Sequence, residues 1–186
     1  WRPMMNWLPS RSSVVMRSYF QLFDLPQCYQ LDLERLDRNY RNLQASVHPD
    51  RFVGDGAQAR RLAEQYSGLL NQAYTTLKSP VERAAHLLQL LGVEIDGAAT
   101  ISDGDFLFRQ MTLRETLHDV RQQRDETALL QLRQQALAEQ NGLQQAFSRA
   151  IKDPQNLQSA LQFLLKMRFF QKFLADIHDV EDVLLD

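Results

Sequence analysis

The sequence predicts an all-α protein in two parts: a helical hairpin with a polar tip, then a three-helix bundle. Three observations carry this. Apolar residues recur at three- and four-residue spacing over most of the chain, and no stretch alternates apolar and polar residues as a half-buried strand would. Seven Gly and six Pro in 186 residues leave room for long uninterrupted helices. The few breaks that occur carry helix start and stop residues.

Residues 1–17 hold Arg2, Arg11, Arg17 and several Ser, and the first acid in the chain is Asp24. Transit peptides share that composition. Met16 stands just before SYFQLF, however, so the segment reads as a disordered extension from an upstream start codon. Tyr19, Phe20, Leu22, Phe23 and Leu25 form an apolar cluster ending at Pro26. It is expected to be a short helix or turn packed on the hairpin. Asp32 can cap the next helix, which runs from about Leu33 to Val47. Leu33, Leu36, Tyr40, Leu43 and Val47 form its buried stripe, and Arg38, Arg41, Asn42 and Gln44 lie on its other side.

That helix runs into His48-Pro49-Asp50. Proline lacks a backbone N–H and pushes the preceding residue toward extended geometry, so the helix should stop near Val47. Asp50 can bond nearby backbone N–H groups and stiffen the turn. A second helix, Ala57 to Leu77, follows Gly54 and Gly56, with a stripe of Leu62, Tyr66, Leu69, Leu70, Ala73 and Leu77. The two stripes should face each other in an antiparallel pair. Ser79-Pro80-Val81-Glu82 is a strong helix start, with Ser at the N-cap, Pro first and Glu third. The helix it opens carries Ala84, Ala85, Leu87, Leu88, Leu90 and Leu91 and ends at Gly92.

Residues 92–102, GVEIDGAATIS, have two Gly and no helical stripe, and read as a linker. Ser102 then opens a bundle spanning 103–186, with Asp103 and Asp105 in the first turn, where the helix dipole favours acids. Helices are expected over about 103–121, 127–151 and 154–184, with Asp153-Pro154 marking the last boundary. On the first, at about 100° per residue, Phe106, Leu113, Leu117 and Val120 share one face, while Leu107, Phe108 and Met111 lie nearly opposite, continued by Glu115 and Asp119. One face must enter the bundle, which leaves an exposed apolar strip that turns acidic. The last helix has a broad stripe of Ala160, Phe163, Met167, Phe170, Leu174 and Ile177, flanked by Leu165, Phe169 and Phe173. A stripe that wide fits contact with two neighbouring helices.

A net charge of −2 argues against a protein whose main work is binding nucleic acid. No apolar run reaches the roughly 18 residues needed to span a bilayer. Cys28 is the single cysteine, which excludes an intramolecular disulfide and suits a reducing compartment. Without a Cys/His cluster of ligand spacing, no metal or other cofactor is expected. His48 and Asp50 could serve as an acid–base pair, but adjacent residues of a tight turn form no enclosed pocket. His86, His118 and His178 sit far apart within helical patterns and read as surface or packing residues. No phosphate loop or nucleophile motif occurs, so an enzyme is not expected.

From Ser18 to Leu91 the chain resembles a J domain, the module that activates DnaK-type chaperones. The residues that carry this are the opening YFQLFDLP, the tip VHPDRF and the stretch NQAYTTLKSPVERAAHLL. With the bundle, whose FLFRQMTLRETL and LKMRFFQKF stretches fit, nearly all of 18–186 is similar to the HscB family of iron–sulfur cluster co-chaperones. The resemblance implies an adaptor without chemistry of its own. His48, Pro49 and Asp50, with Arg38, Arg41 and Arg51, would engage a DnaK/HscA-type ATPase. Leu107, Phe108, Met111, Glu115, Asp119 and Phe169 would bind an IscU-type scaffold protein. Thr112 stands where the family can have Glu, which alters the polar rim. Many J domains crowd lysine before the tip; here Asn42 and Ser46 are neutral and Arg51 stands where lysine is common, so contact with a chaperone's acidic surface is expected to be weaker or tuned to one specialised partner. The chain lacks the cysteine-rich zinc element of mammalian-type relatives, which points to a bacterial, cytoplasmic member. The alternative is a J-domain protein delivering other clients.

Overall fold

The computed structural model describes residues 18–47, 56–95 and 100–185. They form α1 (Tyr19–Leu22), α2 (Leu33–Val47), α3 (Ala57–Lys78), α4 (Pro80–Leu90), α5 (Gly104–Gln123), α6 (Glu126–Ala150) and α7 (Leu157–Leu185), with a 3-10 turn, Pro154–Asn156, leading into α7. No strand occurs among the described residues. The extension 1–17, the tip His48-Pro49-Asp50 with Arg51, and 96–99 of the expected linker lie outside them. The chain divides into two compact units, one ending at Ser79 and one beginning at Pro80.

In the first unit, α1 and α2 both pack on α3. Phe20, Phe23, Leu25 and Tyr29 are buried, as are Leu36 of α2 and Ala63, Leu70, Ala73 and Leu77 of α3. The stripe on α3 differs from expectation. Leu62 and Leu69 are 44% and 40% exposed, and Leu33 on α2 is also exposed. The inward positions are Ala63, Leu70 and Leu77, seven apart, so they stack on one face. Hydropathy favours the larger neighbours, but a small residue lets helices approach closely.

The α2–α3 seam is as polar as it is apolar. Tyr40 stacks on Tyr74 with ring centroids 4.0 Å apart, and its hydroxyl donates to Asn71 Oδ1 at 2.8 Å. Gln44, expected on the outer side, faces α3 instead: its amide donates to Asn71 Oδ1, and its carbonyl oxygen accepts from Ser67 Oγ at 3.1 Å. Asp37 accepts from the Tyr74 hydroxyl at 3.0 Å. As partner numbers fall on α2 they rise on α3, which fixes an antiparallel pair. Asn39 Nδ2 donates to the Phe23 carbonyl at 2.7 Å, and Arg35 pairs with Asp24 at 3.0 Å. These two contacts hold α2 to the turn after α1.

The second unit is built on the long α6–α7 hairpin. Asp103 pairs with Lys166, and Arg124 Nη2 reaches the Val183 carbonyl, so α5 runs parallel to α7. α6, joined to each by a short turn, runs antiparallel to both. Leu113, Leu117 and Val120 of α5 meet Leu129, Leu132 and Ala136 of α6 and Phe169, Phe170, Phe173, Ile177 and Val180 of α7 in one core. The broad stripe of α7 serves neighbouring helices, since α4, α5 and α6 all pack on it. Grouping α4 with the bundle puts the division at Ser79, ahead of the expected linker. Gly92, at φ +78°, still ends α4: its N–H bonds the Gln89 carbonyl at 3.0 Å and Val93 N–H bonds the Leu88 carbonyl at 2.9 Å.

The start of α5 lies one residue later than expected. Asp103, not Ser102, is the N-cap, and its carboxylate accepts from Phe106 N at 3.0 Å. It also accepts from Lys166 Nζ at 2.6 Å. The Lys166 hydrogen bond, more than the Phe106 N–H, holds the Asp103 carboxyl below its ordinary value of 3.8. A depressed carboxylate pKa stabilises the fold above the unfolded value, and that contribution is lost as pH falls through the folded value. Asp103→Asn keeps a capping side chain but loses the charge. The parent should therefore be more stable than Asp103→Asn at pH 7, with the gap in urea midpoint closing as pH drops below 3.8. A gap independent of pH would contradict the ion-pair account.

Candidate functional site

Two surfaces are candidates for function, one in each unit. On the first, α2 runs through Val47, the last described residue before the His48-Pro49-Asp50 tip, and α3 starts after Gly56, at φ +90°. The antiparallel seam thus frames both ends of residues 48–55. Arg38 and Arg41 are exposed on α2. Arg38 lies 3.7 Å from Glu34 one turn earlier, and Arg41 Nε donates to the Asp37 carbonyl at 3.2 Å. The nearby acid Asp37 is turned toward α3, where the Tyr74 hydroxyl, and after it Lys78, holds its carboxyl below the usual range. Asp37 is therefore engaged chiefly with α3, and on the outward face of α2 Arg38 has Glu34 as its acidic neighbour.

On the second surface, α5 assigns its two apolar faces opposite fates. Leu113, Leu117 and Val120 are buried and Phe106 is partly buried against the same core. Leu107, Phe108 and Met111 are 44%, 71% and 60% exposed. Thr112, Glu115 and Asp119 are exposed beside them, and the Thr112 hydroxyl donates to the Phe108 carbonyl at 3.3 Å. Arg109 is held to Glu139 of α6 by a forked ion pair. That contact raises the guanidinium pKa further and ties the start of α5 to α6.

Phe169 differs from the other residues that the resemblance assigns to the scaffold: a docking residue would be exposed, but Phe169 is 9% exposed and belongs to the core. Its ring meets Phe106 edge-on at 5.7 Å, meets Phe170 at 5.2 Å and stacks on Phe173 at 5.6 Å. The Arg114 guanidinium covers it at 5.5 Å. Helical angles place Phe169 on the flank of α7 facing α5, and do not reveal what α5 lays over it. Arg114 was not singled out from the sequence. The available signal was spacing: it lies one heptad after Leu107, on the same edge of the helix.

Comparison with known proteins places this arrangement. The family model for the HSCB C-terminal oligomerisation domain matches residues 102–178. A curated relative from Colwellia psychrerythraea, a co-chaperone protein HscB homolog, is 37% identical over 173 residues, covering 91% of this chain and 99% of its own. The chain belongs to the HscB family of J-domain co-chaperones of iron–sulfur cluster assembly. The HscB homolog of Shewanella baltica is also 37% identical, over 175 residues, with 91% of this chain and 99% of the relative covered. Among solved structures, chaperone HscB from Vibrio cholerae matches with TM-score 0.82 and 34% identity, over 90% of this chain and 99% of its own. The human HscB structure matches with TM-score 0.82 and 30% identity, over 91% and 83%. The Jac1 co-chaperone of Saccharomyces cerevisiae, at 20% identity and TM-score 0.68 over 88% of this chain and 98% of its own, shares the fold. The fold is all-α, with an N-terminal J domain followed by a helical bundle, as in the HscB structures. No helix of the described residues is long and apolar enough to cross a membrane.

The burial pattern orders the stabilities of truncated variants. Phe169→Ala should cost about 3–5 kcal/mol, because it opens a cavity in an aromatic cluster. Met111→Ala should stay within about 0.5 kcal/mol, as exposed positions do. Urea unfolding of the two variants checks this; equal losses would mean that Met111 is packed or Phe169 is not.

Proposed function

We propose that the bundle of this chain binds an IscU-type iron–sulfur scaffold protein while its J domain stimulates ATP hydrolysis by a DnaK/HscA-type chaperone. The observation that carries this reading is the pair of apolar faces on α5. Leu113 and Leu117 enter the core, while Leu107, Phe108 and Met111 stay exposed in a chain of this family. Three large apolar residues exposed together on one helix face fit an interaction surface. Glu115 and Asp119 give it a polar rim on one side, and a few apolar anchors normally dominate such an interface. Phe169 contributes as the packed floor beside the patch.

His48, Pro49 and Asp50 act on the chaperone, with Arg38, Arg41 and Arg51 steering toward an acidic surface. Catalysis of ATP hydrolysis belongs to the chaperone, and this chain contributes binding and orientation. By linkage, the chaperone is drawn toward the conformation that the J domain binds best. The protein works in the bacterial cytoplasm, where both partners would be met.

Steady-state ATP turnover by the cognate chaperone, with and without scaffold, tests both halves at once. His48→Gln should remove stimulation altogether while leaving helicity intact. Leu107→Ala/Met111→Ala should keep the basal stimulation and lose the increment added by scaffold. If the tip variant stimulates like the parent, or the patch variant keeps the full scaffold increment, the corresponding half of the proposal fails.

A further inference from the structure

Arg114 lies where α5 and α7 meet, beside the exposed patch. Its guanidinium is stacked 5.5 Å from the centroid of Phe169, although Arg114 itself is exposed. The remaining ring neighbours of Phe169 are Phe106, Phe170 and Phe173, all within the bundle. Arg114 is therefore the solvent-side cover of the ring. It also lines a groove of about 380 Å³ between α5 and α7, in which Arg114, His118 and Arg121 face Asp176 and Asp179. Asp176 has no ion pair among the described residues. The groove thus offers the guanidinium a second seat on the same helix pair.

We infer that Arg114 is a displaceable cover: when the scaffold docks on Leu107 and Met111, the guanidinium swings off Phe169 toward Asp176, and the bared ring joins the docking surface. The inference rests on the scaffold-binding reading above and adds to it a residue that sets affinity. Three points support it. Leu107 and Arg114 are one heptad apart, so a partner seated on Leu107 reaches the ring that Arg114 covers. A cation over an aromatic ring at a solvent-exposed site is held weakly, so a partner's apolar side chain can replace it. The rest of the Phe169 ring is fixed by three aromatic neighbours, so uncovering it needs no backbone change. The occupant this arrangement selects is an apolar side chain of the scaffold, not a carboxylate, because the charge of Arg114 is met by Asp176 within the chain.

Calorimetric titration with an IscU-type scaffold protein tests this. Arg114→Ala removes the cover in advance and should tighten binding about two- to five-fold, the range expected for an exposed cation–aromatic contact. Asp176→Asn removes the second seat and should weaken binding by a similar factor, with no effect once Arg114 is Ala. The gain from Arg114→Ala should vanish in combination with Phe169→Leu, and Phe169→Met serves if the Leu variant loses its cooperative melt. Arg114→Met, which keeps the aliphatic stem, separates loss of charge from loss of packing and should also tighten binding. Unchanged or weaker binding by Arg114→Ala, or a gain that persists with Phe169 replaced, overturns the inference. If Leu107→Ala leaves affinity unchanged, the scaffold-binding reading itself fails, whatever Arg114 does.

Discussion

The second unit depends on the packing of α6 against α7. Each of these helices is longer than α5, and α7 buries residues from Ala160 to Val180 around most of its circumference. A single partner helix cannot cover so broad a stripe. α5 covers one stretch of the hairpin, with Leu113, Leu117 and Val120 meeting Phe170, Phe173 and Ile177, and α4 also packs on α7. Burying a side chain of this size stabilises by about 1.5–3 kcal/mol, so the aromatic-rich α7 is the main source of cohesion. It is also the reason the bundle admits α4 as a neighbour.

The partner-binding reading follows from how α5 is held. Its apolar residues point in opposite directions, so it lacks the single stripe of an ordinary surface helix. One face is taken by the hairpin core. The ends are fixed by charge and capping: Asp103 and Lys166 at the start, Arg109 with Glu139 further along, and Arg124 at the close. With position and rotation both set, Leu107, Phe108 and Met111 have nowhere in the bundle to go. The J domain uses a related device with different chemistry. Tyr40, Gln44, Asn71 and Tyr74 form a polar and aromatic seam that fixes register between α2 and α3, leaving Arg38 and Arg41 outward.

Much of this was legible in the sequence. The start of α4 follows from Ser79-Pro80, and Asp153-Pro154 marks the boundary after α6, although it opens a 3-10 turn and α7 itself begins three residues later, at Leu157. The two faces of α5 follow from its periodicity, because helix angles convert spacing directly into direction. What was not legible depended on neighbours. Ala63 faces inward in place of Leu62 because close approach selects for size as well as hydropathy. Gln44 turns toward α3 because Ser67 and Asn71 offer it partners. Phe169 is buried because Phe106 and Arg114 of α5 lie against its ring, a relation that no spacing within α7 encodes. Gly92 does end α4, but a helix end is not a domain boundary, and α4 is packed on α7.

The central claim is that one face of α5 is core while the other is a surface held ready for a partner. Two methionines report on it directly. Met111 is 60% exposed on the open face, and Met167 is fully buried in α7. Oxidation of a methionine thioether by dilute hydrogen peroxide follows its exposure. Mass spectrometry of the peptides carrying each residue, over a time course with and without the scaffold protein, gives both rates in one experiment. The account predicts rapid oxidation of Met111, slow oxidation of Met167, and selective slowing at Met111 when scaffold is present. Equal rates at the two residues, or a Met111 rate that scaffold leaves unchanged, would contradict it.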